Sequence, residues 1–396
     1  METVRRSDPD SRWLAVGSSA ESDSHRAGAT AARVAVADSD VKLLMVYCLA
    51  TRDPEDVLAG IRSVAPDVPL IGCSTTAVIT PDGPGETPGV VVVGLGGRGF
   101  SVATRVAQDV TGRQRDAGKE VAACVAEVAD RPHQVLVLLT DGLVAAPAEV
   151  LAGAYSVVGA SLPMVGGASC PEPSMTRTFQ LHGDRVVADG VVGAAIASDG
   201  PFGVGLRHGW RRVGEPMIVT KSNHNVVYTL DDRPAAPAYL SQLAAPPEAF
   251  VEPAAFERFA ERRPIGVRSR RGEVVRNVGS SSHLADGWLH SSGDVPEGAL
   301  IWPMEGDTAS VLDAAGDACR DAIAMLGDAE PLGLMAFDCE TRSRFLGPEG
   351  RREEIARMNA RAGAARLSGL YTWGEIARTR GISGFHNQTL VVLAVG

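Results

Sequence analysis

Cys339 and Arg342 stand close together at the end of an apolar run, Leu334-Met-Ala-Phe337. A guanidinium beside a thiol lowers the thiol's pKa, so the pair reads as a reactive thiolate. It reads equally as a charge fork for a carboxylate or phosphate, or as a surface arginine that follows a core strand. His386 lies between Phe385 and the polar trio Asn387-Gln388-Thr389, just before a second apolar run. It fits a general base, or a histidine that hydrogen-bonds the backbone where a strand begins. Cys73, Ser74 and Thr75 close a third run, and Tyr371 and Glu375 flank the turn Thr372-Trp373-Gly374. Each of these residues falls at the end of a predicted buried strand, where turns expose polar side chains. Cys73, Ser74, Thr75, Cys339, Arg342, Tyr371, Glu375, His386 and Asn387 therefore form the candidate ligand-binding set. No residue is assigned as catalytic. A cysteine hydrolase or transferase would need the thiol of Cys339 or Cys73 within about 2.6–3.2 Å of His386.

Other chemical motifs are weak. Gly94-Leu-Gly-Gly-Arg-Gly99 matches G-x-G-x-x-G, but the dinucleotide fingerprint must open a helix. Residues 100–106 alternate like a strand, so a hairpin turn explains the glycines better. There is no Walker A sequence and no G-x-S-x-G elbow. Cysteines fall at 48, 73, 124, 170, 319 and 339 without a C-x-x-C pair, and the histidines form no H-x-x-x-H pair. No metal site, disulfide or cofactor is expected, and each cysteine reads as a small buried hydrophobe.

The elements that would position these residues recur. Residues 43–47 read as a buried strand, 53–64 as a helix capped by Asp53 with Pro54 at its first position, 69–75 as a strand and 89–94 as a closing strand. The order repeats at 135–139, 146–158, 162–169 and 190–196, and again at 334–337, 351–360, 367–372 and 389–395. In each copy a glycine is followed three places later by a hydroxyl: Gly72 and Thr75, Gly166 and Ser169, Gly369 and Thr372. The reading is one β-α-β-β unit used three times in a mixed-sheet α/β protein, with ligands collecting beyond the carboxyl ends of the strands. Residues 1–12 are polar and expected to be disordered. A domain spans 13–232. A Pro/Ala-rich linker with one short helix around 238–243 follows at 233–264, and a second domain spans 265–396. Strands at 273–278, 287–290 and 299–302 form a meander, and a helix capped by Asp307 or Thr308 follows. Strands apolar on both faces lie on both sides of the linker, so the two parts are expected to pack as one body.

Composition narrows the partners. The chain has 396 residues, 45% apolar and 22% charged, with a net charge of −10. Lys42, Lys119 and Lys221 are its only lysines and the arginines are scattered, so nucleic acid and anionic membranes are not expected partners. No signal peptide and no apolar run of about 20 residues is present, so a cytoplasmic location is expected.

Leu70-Ile-Gly-Cys-Ser-Thr75 resembles the core motif of the FIST N-terminal region. Glu305-Gly-Asp307, Phe337-Asp-Cys-Glu-Thr-Arg342, Phe345-Leu-Gly347, Gly369-Leu-Tyr-Thr-Trp-Gly-Glu-Ile376 and Phe385-His-Asn-Gln-Thr389 resemble the FIST C-terminal region in order and spacing. The resemblance covers about 13–395. Thr76-Ala-Val78 departs from the family, which often has a small residue and Glu there, and 171–178 is hard to align. The resemblance implies a sensory module that binds a small ligand such as an amino acid or other carboxylate. It also implies a separate signalling partner such as a histidine kinase or cyclic-dinucleotide enzyme. Some relatives are described as haem-binding nitric-oxide sensors, which makes haem a variant of the same reading.

Overall fold

A computed structural model describes residues 12–36, 40–81, 83–85, 89–269, 272–279, 284–379 and 382–396. The expectation for 1–12 lies outside the described residues, apart from Arg12. The protein is mixed α/β, built from three copies of one module and an inserted lobe.

The first module runs strand Trp13–Ser19, helix α1 (Ser24–Ala35), strand Val41–Leu49, helix α2 (Pro54–Arg62), strand Leu70–Thr75 and strand Val90–Gly96. The last strand returns between the first two, antiparallel to both, while Val41–Leu49 and Leu70–Thr75 are parallel. Asp53 caps α2 by accepting from the Asp56 N–H, with Pro54 at the first helical position as its sequence suggests.

The second module repeats this order with strand Phe100–Gln108, α3 (Gln114–Ala122), strand His133–Thr140, α4 (Pro147–Val158), strand Met164–Ala168 and strand Gly190–Ser198. Strands Val90–Gly96 and Phe100–Gln108 lie in different sheets, so the glycines at 94–99 turn the chain between modules and do not close a hairpin.

The third module opens with strand Phe202–Arg207 and is interrupted by residues 208–307. This insertion carries α5 (Ala235–Gln242), α6 (Pro253–Ala260) and an eight-stranded sheet, around a core that includes Tyr239, Phe256, Ile265 and Ile301. The stretch 233–264 thus holds two helices and contributes buried apolar side chains. Helix α7 (Thr308–Ala324) follows, capped by Asp307 in a reciprocal capping box with Ser310. Strand Gly333–Cys339, α8 (Glu340–Ala362), strand Arg366–Thr372 and strand Leu390–Val395 complete the module. Helix α8 begins eleven residues before the sequence pattern shows it, because Gly347 (φ 65°) and Pro348 kink it and break the periodicity.

The repeating unit is therefore longer than β-α-β-β, with a strand and helix ahead of it. Between its last two strands each module also projects a hairpin, which pairs with another module's sheet. Val78–Thr80 pairs with Arg366–Thr372, Gln180–His182 with Leu70–Thr75, and Glu375–Thr379 with Met164–Ala168. The exchange is cyclic, from first to third, second to first and third to second.

Alternate side chains explain the packing. Leu43, Met45 and Tyr47, with Val135, Val137 and Leu139 and with Met335 and Phe337, point inward to one core shared by the three sheets. Leu44 and Val46, Leu136 and Leu138, and Leu334 and Ala336 point outward under the helices. Both faces are covered, so the strands read as continuous apolar runs. The recurring glycines sit where neighbouring strands approach most closely: a Cβ at Gly72, Gly166 or Gly369 would meet the carbonyl oxygen of Val46, Leu138 or Ala336 at 2.5, 1.9 and 2.3 Å.

Candidate functional site

Strands His133–Thr140, Gly333–Cys339 and Arg366–Thr372 end at one junction of two modules, and there a cleft of about 640 Å³ opens. One wall is the loop 142–148 leading into α4, with Glu340 and Thr341 at the start of α8. The opposite wall is the inserted lobe, through Arg276, Asn277 and residues 290–294, and Trp373, Phe385 and Asn387 lie between. The cleft thus sits at carboxyl strand ends and at two helix N-termini, where ligands of α/β proteins collect.

Its most unusual residue is Arg276, at the end of strand Gly272–Arg276 and only 6% exposed. Its Nη1 donates to the Phe385 carbonyl at 2.8 Å, the Val275 carbonyl at 3.2 Å and Asn387 Oδ1 at 3.3 Å, while Nε is buried with no partner. Burial pulls its pKa down to about 10, partly opposed by Asp294 and Glu375. Next to it, Asn277 donates from Nδ2 to Thr341 Oγ1 at 3.1 Å, and its Oδ1 is buried without a partner. Arg276 Nε and Asn277 Oδ1 are thus a donor and an acceptor left unfilled and closed off from solvent, in residues that line the cleft together with the half-buried Trp373.

Of the residues expected from sequence, Cys339 and Asn387 line this cleft. Cys339 Sγ accepts from the Gln388 N–H at 3.2 Å, and burial, then Glu375, pushes its pKa well above the ordinary thiol value. Arg342 does not hold Cys339 as a thiolate, because its guanidinium is used elsewhere. It is fully buried, with Nε on Asp338 Oδ1 at 2.9 Å, Nη2 on Glu354 Oε1 at 2.5 Å and Nη1 on the His208 carbonyl at 2.7 Å. It does not reach the cleft and clamps the strand Gly333–Cys339 to α8.

Ser74, Thr75 and Cys73 hold the modules together. Ser74 Oγ donates to the Cys170 carbonyl at 2.8 Å, Thr75 Oγ1 lies 2.7 Å from the Tyr371 carbonyl, and Cys73 faces the shared core. Tyr371 packs under the third module's helices. Glu375 is buried under hydrogen bonds from Thr372 Oγ1 (2.9 Å), the Thr389 N–H (3.1 Å) and Thr389 Oγ1 (2.7 Å). Burial pushes its pKa up to about 8 despite them. His386 pairs with Glu375 across the hairpin, and burial, then Arg276, holds it down to about 3, so it is neutral. Its Nε2 has no hydrogen-bond partner, so no thiol–imidazole bond joins it to Cys339.

The cleft residues absent from the sequence reading are Arg276, Asn277, the 290–294 segment and the 142–148 loop. One signal pointed to the first: Arg276 directly follows the apolar pair Val274-Val275 at a strand end, where a buried charge needs a partner.

Residues 42–233 match the FIST N domain and residues 235–378 the FIST C domain. The chain belongs to the FIST family. The seam between the two FIST domains falls inside the inserted lobe, so the FIST N region includes the first strand of the third module. FIST domains are small-ligand sensory domains of signalling proteins. An uncharacterized protein of Methanocaldococcus jannaschii is 34% identical over 88 residues, covering 21% of this FIST protein and 16% of that relative. The chain thus spans under a fifth of the relative it matches. A cyanuric acid hydrolase from A. caulinodans aligns with a TM-score of 0.30 and 13% identity, over 48% of this chain and 72% of that one. That likeness is too distant to bear on chemistry. Among the described residues no helix is long and apolar enough to cross a membrane.

Proposed function

We propose that this FIST protein is a ligand-binding sensor without turnover. A small molecule occupies the cleft under the inserted lobe, and a separate cytoplasmic signalling protein, of the histidine-kinase or cyclic-dinucleotide class, reads its occupancy. The observation that carries the reading is the cleft itself, which lies at a module junction and is walled by two bodies with separate cores. A ligand bridging them alters how they sit together, which is what a relay needs. The enzyme reading is less favoured, because Cys339 holds its proton and has no base. Haem fits poorly. His386 is off the cleft walls, Cys339 Sγ accepts from the backbone, His290 has a partner of its own, and His224 is exposed beside Asp294.

Native mass spectrometry of the purified full chain tests the proposal. A co-purifying small molecule is expected in the wild type and not in Ala148→Trp, which fills the cleft from α4. A molecule retained by Ala148→Trp, or chemically converted by the protein, would overturn it.

A further inference from the structure

We propose that the inserted lobe is a hinged lid, fixed to the third module and free to close on helix α4 of the second. The proposal rests on the cleft reading above and adds which body moves, and against what.

The attachment is one-sided. Trp210, Val275 and Met304 of the lobe pack with Val311, Leu312 and Leu346 of the third module in one apolar cluster. Polar ties run along the same side. Trp210 Nε1 donates to the Gln388 carbonyl at 3.0 Å, Arg276 Nη1 to the Phe385 carbonyl at 2.8 Å, Asn277 Nδ2 to Thr341 Oγ1 at 3.1 Å, and Gln388 Nε2 to the Glu261 carbonyl at 3.4 Å. Among the described residues, no hydrogen bond, ion pair or shared apolar cluster joins the lobe to the second module.

The chain enters and leaves the lobe at one place. Arg211-Arg212 pairs with Met304-Glu305, so the two connections form one short ribbon. Gly209, just ahead of it, has φ 81° and lies against α7, where a Cβ would meet the Ser310 carbonyl oxygen at 2.6 Å. A few residues at the ends of elements are what a hinge uses to absorb a rotation.

Opposite this hinge the gap is long. A second cleft, of about 680 Å³, adjoins the first and shares Ala148, Arg276, Asp294 and Phe385 with it. Much of its walls is apolar. Helix α4 presents Leu151, Ala152 and Tyr155, and the lobe presents Val267, Val274 and Pro296. Rotation of the lobe toward α4 buries these faces against each other or against a ligand held between them, which favours closure. No polar tie to the second module has to break for it.

The test traps the closed state in the full-length protein. Ser156 on α4 and Pro296 on the lobe are exposed and line the second cleft from opposite walls, and the six native cysteines are buried. A disulfide needs Cβ atoms about 3.5–4.5 Å apart, so a bond between Ser156→Cys and Pro296→Cys requires the walls to meet. Diamide is expected to form it, read as a mobility shift on a non-reducing gel. Adding Ala148→Trp should slow the crosslink at least tenfold, because the indole props the walls apart, and Ala152→Trp, one turn further along α4, serves as a second wedge. No crosslink, although both new thiols react with a maleimide, or a crosslink equally fast with either wedge in protein that keeps the wild-type circular dichroism, would overturn the lid. The two readings fail separately. A co-purified molecule that Ala148→Trp expels, in a protein that never crosslinks, removes the lid and keeps the cleft. A crosslink slowed by Ala148→Trp, in a protein whose co-purified molecule survives that substitution, keeps the lid and removes the cleft as the sensing site.

Discussion

Arg342→Ala separates a structural cation from a ligand anchor. The substitution leaves Asp338 and Glu354 facing each other without the guanidinium that joins them at 2.9 and 2.5 Å, and frees the His208 and Val311 carbonyls. Removing one partner of a buried ion pair costs about 3–5 kcal/mol, and a carbonyl stripped of its donor adds about 1–3 kcal/mol. These terms do not sum. Glu354, whose pKa burial and then Asp338 already raise, can stay protonated and so relieve part of the repulsion. A net loss of about 4 kcal/mol near neutral pH is the expectation. Chemical denaturation of the full chain, followed by circular dichroism, measures it. The sequence suggested that this variant would lose a carboxylate ligand, but the structure predicts that any protein remaining folded binds as before. A stability loss under about 1 kcal/mol, within the range of an ordinary surface change, combined with lost ligand binding would refute the structural assignment.

Glu375 gives a pH signature. Its folded pKa of about 8 lies above the ordinary 4.5, so the folded state holds the proton more tightly and stability falls as pH rises from about 4.5 toward 8. At about 1.4 kcal/mol per pH unit the loss reaches about 3.4 kcal/mol by neutrality, and Glu375→Gln should flatten the stability profile across that window; an unchanged slope would contradict a protonated Glu375. Gly166→Ala places a Cβ 1.9 Å from the Leu138 carbonyl at φ 142° and should cost about 3 kcal/mol or more in denaturation midpoints. Gly316→Ala, with nothing nearer than 3.7 Å inside α7, should be neutral or stabilising by about 0.5–1 kcal/mol. Cys339→Ser should leave ligand binding within about twofold, since a serine oxygen can accept from the Gln388 N–H as the thiol does; loss of a measurable hydrolase activity would instead restore the nucleophile reading. The fragment 265–396 should show no cooperative unfolding, because its strand Leu390–Val395 pairs with Phe202–Arg207 and its sheet takes the hairpin strand Val78–Thr80 from the first module.

The repeat was legible because it rests on local grammar. Apolar runs and the glycine–hydroxyl spacing mark the same four elements in each module, and in the first the Asp53-Pro54 cap marks the helix start as well. Its first strand and helix were not legible. Helix α1 buries alanines and glycine where a longer side chain would advertise a core face. In the third module, 100 residues of insertion separate Phe202–Arg207 from α7. The hairpin exchange left no sequence signal at all, because pairing between modules depends on partners far apart in the chain.

The candidate residues share one property with those of the actual cleft: they end buried strands. Ends of strands, however, occur at every module junction, and in a threefold arrangement most of these are occupied by the modules themselves. Thr75 Oγ1 reaches the Tyr371 carbonyl, Ser169 Oγ the Thr140 carbonyl, and Thr372 Oγ1 the Asp338 carbonyl, so the recurring hydroxyls tie main chains together. The lined cleft forms where the insertion closes over one junction, and the insertion contributes Arg276 and Gly293. A motif repeated in all three modules is therefore better read as architecture. The site-specific chemistry enters through the segment that the other two modules lack, which is also why Cys339 and Asn387, the expected residues that line the cleft, both come from the module that carries the insertion.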